Sequence, residues 1–304
     1  MIVRSQSTEP AGSRGGTTSM FRSTAATLEM IKWEHSIFAL PFAVTGAILA
    51  ARGWPPLTKL VWIVVSMIAA RSAAMAFNRL VDAKLDAANP RTATRALPAG
   101  TLRPAFVAGF VVLCSVVFLF ASAMLNRLTL ELAPLALSVV LVYSYMKRVT
   151  RWSHLVLGLA LGIAPSAAWI AIRGSLDARI VLLTGVVTLW VSGFDVLYAC
   201  QDFEHDRSVG LNSVPQAFGL ERAFWIARAM HLATVVLAVL LDYVFQLRVI
   251  GYLGTAVVAA LLAYEHWIVA PYDLRRMNAA FFLLNGLISV VFLVFVAAAV
   301  LFRQ

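Results

Sequence analysis

From about residue 37 onward the chain is a succession of apolar runs, each about twenty residues long and separated from the next by short polar turns. That pattern leaves few folds open. In hydrocarbon every backbone N–H and C=O needs a partner inside the protein, so only helices and closed barrels cross a bilayer. Runs of this length suit a spanning helix, which needs about 20 residues, rather than a barrel strand of about 10. They fall at 37–51, 57–77, 104–125, 128–146, 155–172, 180–200, 224–241, 249–269 and 281–302. The expected fold is therefore all-α: a polytopic membrane protein of about nine transmembrane helices. Composition agrees, since 61% of the 304 residues are hydrophobic and 13% charged, against about half and a quarter in soluble domains.

The formal net charge of +10 invites a nucleic-acid partner, but the positions of the basic residues explain it without one. With the N-terminus inside, Lys and Arg in inner segments outnumber those in outer segments by more than two to one, as the positive-inside rule expects. The reading is a multi-pass protein of the cell's inner membrane with no nucleic-acid partner. Residues 1–25, rich in Ser, Thr, Gly and Arg, read as a disordered cytoplasmic tail and not as a signal peptide, and 26–304 as the membrane domain. Cys114 and Cys200 sit in apolar runs and lack metal-ligand spacing.

Two polar islands interrupt the pattern on the expected cytoplasmic side. In NRLVDAKLDAANPRTATRALPAG (78–100), Asn78, Asp82 and Asp86 are four residues apart and share a helix face, with Arg91 and Arg95 following. In DVLYACQDFEHDRSVGLNSVPQAFG (195–219), Tyr198, Asp202 and Asp206 repeat the spacing. The offset from Asp82 to Asp202 and from Asp86 to Asp206 is 120 residues in both cases. This reads as two four-helix pseudo-repeats, about 30–148 and 153–270, plus a ninth helix, with the acid pairs facing each other across a central cavity. Carboxylate oxygens are hard ligands, suited to Mg2+. Two metal ions with a diphosphate between them would balance the acids, and Arg91, Arg95, Arg207 and Lys147 could hold phosphate oxygens. Such a site supports loss of diphosphate from an allylic isoprenyl chain. The developing cation calls for aromatic walls, for which Phe38, Phe42, Phe77, Tyr143, Trp169, Phe194 and Tyr198 are candidates.

These residues resemble the UbiA superfamily of intramembrane aromatic prenyltransferases. The first island looks like the family's first signature, Asn-x-x-x-Asp-x-x-x-Asp followed by Arg-Thr-x-x-Arg-x-Leu-Pro. DFEHDRSVGLNSVP looks like the second, and YSYMKR (143–148) like its Tyr-x-x-x-Lys-Arg element. The resemblance implies a nine-helix fold with a cytoplasmic-side cavity and Mg2+-dependent transfer of a polyprenyl group from its diphosphate to an aromatic acid. It further implies that Asn78, Asp82, Asp86, Asp202 and Asp206 bind metal and diphosphate, that Arg91, Arg95 and Lys147 hold diphosphate, and that Tyr143 sits near the allylic carbon. Lys32 matches a basic position at the cavity. The acceptor remains open. The hydroxybenzoate enzymes commonly show Arg-x-Asp-Lys/Arg-Pro where this chain has KWEHS (32–36), and EHSIFALPFA (34–43) looks more like a branch that includes dihydroxynaphthoate prenyltransferases of the futalosine route to menaquinone.

A reading of another class is an ion-coupled carrier, built from paired repeats with intramembrane carboxylates. A carrier would place its charged ligands near the bilayer midplane on broken helices, whereas here the acids fall at helix ends on one side.

Overall fold

The computed structural model describes residues 26, 27, 29, 30, 36–274, 277 and 283–302. The expected tail, Lys32 and the start of the expected ninth span lie outside the described residues. The long helices are α1 Ser36–Ala51, α2 Leu57–Ala88, α3 Pro104–Leu125, α4 Arg127–Val142, α5 Ser153–Arg173, α6 Val181–Ala199, α7 Leu220–Val244, α8 Arg248–Ile268 and α9 Asn285–Leu301. Seven of the helical segments are long and apolar enough to cross a membrane, and Ala39–Ala51 and Asn285–Leu301 are shorter apolar helices. Among the described residues there is no named strand, only an isolated bridge between Ala270 and Asp273. The protein is an all-helical, multi-pass membrane protein.

Each helix packs on its neighbour in sequence, and α9 closes the ring by packing on α1. Within the ring α1 also packs on α5, backbone close to backbone: a Cβ at Gly46 would overlap the Pro165 carbonyl. Gly158 plays the same part between α5 and α6, where a Cβ would meet Thr188 and Ser192. Small residues allow such approaches, and dispersion between closely packed helices is what holds them together in lipid. On the α6–α9–α1 side the interior is aromatic, with Phe42 5.0 Å from Trp190 and 5.3 Å from Phe292 between ring centroids. The Trp190 indole donates to Asn285 Oδ1 at 3.0 Å, and Asn285 in turn donates to Glu265 at 3.3 Å, pinning the start of α9.

The helix bearing the first acidic island outruns the hydrocarbon. At 32 residues, α2 is about 48 Å long against a core of about 30 Å. Its apolar stretch ends at Phe77, so Asn78, Asp82 and Asp86 ride on its projecting end. The second island differs from a regular helical stripe. After Ala199 the chain tightens into a 3-10 turn, Cys200–Asp202, and resumes as a short helix, Phe203–Val209. A turn with fewer residues per revolution rotates the residues beyond it, yet Tyr198, Asp202 and Asp206 still line one cavity.

Candidate active site

Asn89 ends α2, and its side-chain Oδ1 accepts from the Arg91 amide at 2.9 Å, turning the chain back over the helix end. That turn carries Arg91 to the other island. Its Nε donates to Asp202 Oδ1 at 2.9 Å and its Nη2 to Asp202 Oδ2 at 2.5 Å, a two-pronged pair of the kind a planar guanidinium favours. Asn89 Nδ2 adds a bond to Asp202 Oδ1 at 3.3 Å, and the Tyr198 hydroxyl accepts from Arg91 at 3.4 Å. Burial works against the Arg91 charge, but the Asp202 hydrogen bonds and charge outweigh it and hold its pKa above the ordinary arginine value. Two islands separated by 111 residues are thereby joined.

Around this link each acid of the first island also has a cation. Arg95 donates to Asp86 Oδ1 at 2.6 Å, with Arg79 at 4.0 Å from the other oxygen. Asp82 accepts from Arg148 at 2.8 Å and from Asn78 Nδ2 at 3.0 Å. Asp206 is buried, and its Oδ2 has no hydrogen-bond partner among the described residues.

These groups form the polar end of one cavity of about 680 Å3. Asn78, Asp82, Asp86, Arg91, Arg95, Tyr143, Lys147, Tyr198, Asp202 and Asp206 all line it. The rest of the wall is mostly apolar and runs along α4 and α5 past Val139, Leu161 and Ala168 to Leu176. From Leu157 to Ala171 along α5 the lining covers fourteen residue steps, about 21 Å of helix. One charged end and one long apolar end make a receptacle for an amphiphile.

Some expected site residues fall elsewhere. Arg207 is exposed on the short helix after the 3-10 turn and does not line the cavity: neighbours on a helix point about 100° apart, so it faces away from Asp206. The aromatic wall is also smaller than expected. Tyr143, Phe194 and Tyr198 line the cavity, whereas Phe42 packs on Trp190, Phe77 on Tyr145 and Trp169 on Phe245. The Phe38 side chain is not among the described ones.

The structure adds residues that sequence reasoning passed over. Arg148, one residue beyond Lys147, is the cation that touches Asp82. Phe118 lines the apolar part. Arg71 lines the cavity from within the apolar stretch of α2, and its buried Nε has no hydrogen-bond partner among the described residues. Asp195 lines the cavity from α6, with Oδ2 2.6 Å from His154 Nδ1. The available signal for Arg71 was an Arg well inside an apolar run whose other charge, Lys59, sits near its start, because such a charge is costly in lipid unless it serves a pocket.

The donor set fits a hard divalent cation. The four carboxylates of the polar end offer oxygens, and Asp86 Oδ2 and Asp206 Oδ2 are buried without hydrogen-bond partners among the described residues. Those residues bring no three His, Cys, Asp or Glu side chains together as an all-protein metal cage. This suits Mg2+, which takes one or two carboxylates and fills its shell with water and substrate phosphate.

Fold and site together define a polytopic membrane protein with one cavity that is charged at one end and mostly apolar along the other. The family model described as "UbiA prenyltransferase family" matches residues 39–301, and the chain belongs to that family: it is a prenyltransferase. Among its relatives is 4-hydroxybenzoate octaprenyltransferase of Tolumonas auensis, 30% identical over 233 residues, covering 77% of this chain and 80% of the relative. The fold is similar to that of a solved UbiA homolog from Aeropyrum pernix K1, with 32% identity and a TM-score of 0.78 over 85% of this chain and 95% of the other. A UbiA homolog from Archaeoglobus fulgidus, solved bound to DMAPP and Mg2+, shares the fold at 19% identity, with a TM-score of 0.72 over 90% and 98% of the two chains.

Proposed function

We propose that the protein transfers a polyprenyl group from a polyprenyl diphosphate to the ring of an aromatic carboxylic acid of the 4-hydroxybenzoate type, with Mg2+, in quinone (ubiquinone or menaquinone) biosynthesis. The observation that carries this is the convergence of both acidic islands on the polar end of a cavity whose other end is apolar. The name of the Tolumonas relative supports the acceptor, and the DMAPP and Mg2+ bound to the Archaeoglobus homolog support the donor and the metal.

In this reading Asn78, Asp82, Asp86, Asp202 and Asp206 hold Mg2+, which when bound stabilises the charge of the departing diphosphate. Arg91, Arg95, Lys147 and Arg148 supply cations to phosphate oxygens. Tyr143 and Tyr198 offer ring faces to the allylic carbon as positive charge develops, and the apolar wall along α4 and α5 takes the tail and excludes water. Arg71, deeper in the cavity with an unpaired Nε, anchors the acceptor carboxylate. Lys32 belongs with the substrate-binding cations by its place in the family pattern; Arg207 does not, since it lies outside the cavity. We also read the membrane domain as pseudo-repeats of about 30–148 and 153–270, with a cytoplasmic tail and the site opening to the cytoplasmic side of the inner membrane.

A second acceptor is favoured by one observation: EHSIFALPFA resembles the branch that uses a dihydroxynaphthoate. Purified protein given Mg2+, a polyprenyl diphosphate and either 4-hydroxybenzoate or 1,4-dihydroxy-6-naphthoate decides between them. Prenylated product from one acid, lost in EDTA and restored by excess Mg2+, is the expected result. Product from neither acid refutes the aromatic-acid reading.

A further inference from the structure

The proposed reaction leaves one proton to place. A ring carbon that has formed a bond to an allylic carbon must lose its hydrogen as H+ before the ring is aromatic again, and besides the departing diphosphate the cavity offers its carboxylates as acceptors. Five carboxylates line the cavity. Asp82, Asp86 and Asp202 are each gripped by arginine, and with Asp206 they form the acid pairs at the polar end. The fifth, Asp195, differs in place and in partner. It lies seven residues before Asp202 on the same helical segment, about 10 Å deeper. Arg71 lies seven residues before Asn78 on α2, so the guanidinium and this carboxylate line the cavity at similar depth, below the acids.

The partner of Asp195 is a histidine that is itself fixed. His154 is fully buried, and its Nε2 accepts from the Val214 amide at 3.2 Å. A neutral imidazole that accepts at Nε2 carries its proton on Nδ1, so His154 donates to Asp195 Oδ2 at 2.6 Å. One carboxylate oxygen is thus held. No donor among the described residues reaches Oδ1, on a side chain that lines the cavity.

We propose that Asp195 is the proton acceptor of the transfer, positioned by His154, for an acceptor ring anchored at Arg71. The inference rests on the aromatic-acid reading above. In the step, the C1–O bond of the donor breaks with its electron pair leaving on diphosphate, and the ring carbon bonds to C1. The proton on that carbon passes to Asp195 Oδ1, and the C–H electron pair returns to the ring. The products are prenylated acid, diphosphate and a protonated Asp195, which yields its proton to water that enters the cavity as the products leave.

The test uses the full-length protein with Mg2+, geranyl diphosphate and 4-hydroxybenzoate, either unlabelled or deuterated at both positions ortho to the hydroxyl. In the wild type, ring–carbon bond formation precedes fast proton loss, so deuterium leaves kcat unchanged. Asp195→Asn lowers kcat by about 10^2-fold or more, the usual worth of a general base, and kcat becomes sensitive to ring deuterium while geranyl diphosphate binding stays at the wild-type level. His154→Gln gives a smaller loss with the same isotope sensitivity, and Asp195→Glu restores part of the rate. Wild-type turnover by Asp195→Asn, or slow turnover insensitive to deuterium, overturns the proposal. So does lost donor binding in Asp195→Asn, which would assign the residue to the diphosphate site or to the fold. If the wild type makes product only from 1,4-dihydroxy-6-naphthoate, the same comparison is made with that acid, ring-deuterated. Product from neither acid refutes the aromatic-acid reading and this inference together, whereas wild-type product with an isotope-silent Asp195→Asn refutes this inference alone.

Discussion

Replacing Arg71 with Met separates a binding role from a structural one by the sign of two measurements. The side chain lines the cavity from within the membrane-spanning part of α2, and its buried Nε has no partner among the described residues. Met keeps most of the volume and removes the charge. Taking away a buried cation that lacks a protein carboxylate should leave stability unchanged or raise it, as replacing buried ionic groups by apolar ones commonly does. If Arg71 holds the acceptor carboxylate, the lost charge-assisted bonds cost about 1.5–3 kcal/mol. That is a fall of about 10- to 100-fold in kcat/KM for the acceptor. The fall should appear in the acceptor KM, with kcat at saturation and the donor KM within a few-fold of wild type. Steady-state kinetics with each substrate varied in turn, alongside a thermal unfolding scan in detergent, reads both. An unchanged acceptor KM, or a lower unfolding temperature with both substrates equally affected, refutes the assignment.

The acid pairs give a second outcome. Asp82→Ala and Asp202→Ala should each reduce prenyl transfer by about 10^3-fold or more, the scale of a lost electrostatic contact to a transition state, while the protein still inserts and extracts as a single species; near-normal transfer by both would end the metal assignment. In the scaffold, Gly46→Val places a branched side chain against the Pro165 carbonyl and should cost about 1–3 kcal/mol by overpacking. It should appear as a lower unfolding temperature, and an unchanged one would show that α1 and α5 separate freely.

The membrane fold and the acid signatures were legible because they are periodic. A run of about twenty apolar residues states its own conformation in lipid, and an acid every fourth residue states its own face. Two kinds of information were not periodic and were lost. The first was local winding: the 3-10 turn at Cys200–Asp202 cannot be read from residue types. The second was partnership. His154 is 41 residues from the Asp195 it holds. The aromatic wall failed for a related reason, since Phe42 and Trp169 spend their rings on helix packing. Spacing tells which residues share a face, and only the packed ring tells what that face meets.

Depth is what turns these residues into an order of events. The acids and their arginines stand at the cytoplasmic end of the proposed topology, Arg71 and Asp195 about two turns of helix deeper, and the apolar wall beyond them. A polyprenyl diphosphate has its charge at one end and can lie in such a cavity only with its phosphates among the arginines and its tail along α4 and α5. That orientation puts its first carbon just below the acids, at the level of Tyr143 and Tyr198. A small aromatic acid completing the site must then reach this carbon with its ring while its carboxylate meets a cation, and the cation with a free donor at that depth is Arg71. Reversing the two substrates would strand a diphosphate in the apolar end, where desolvating its charge costs many kcal/mol. On the proposed reading, the polarity of the cavity decides which bond is presented to which ring.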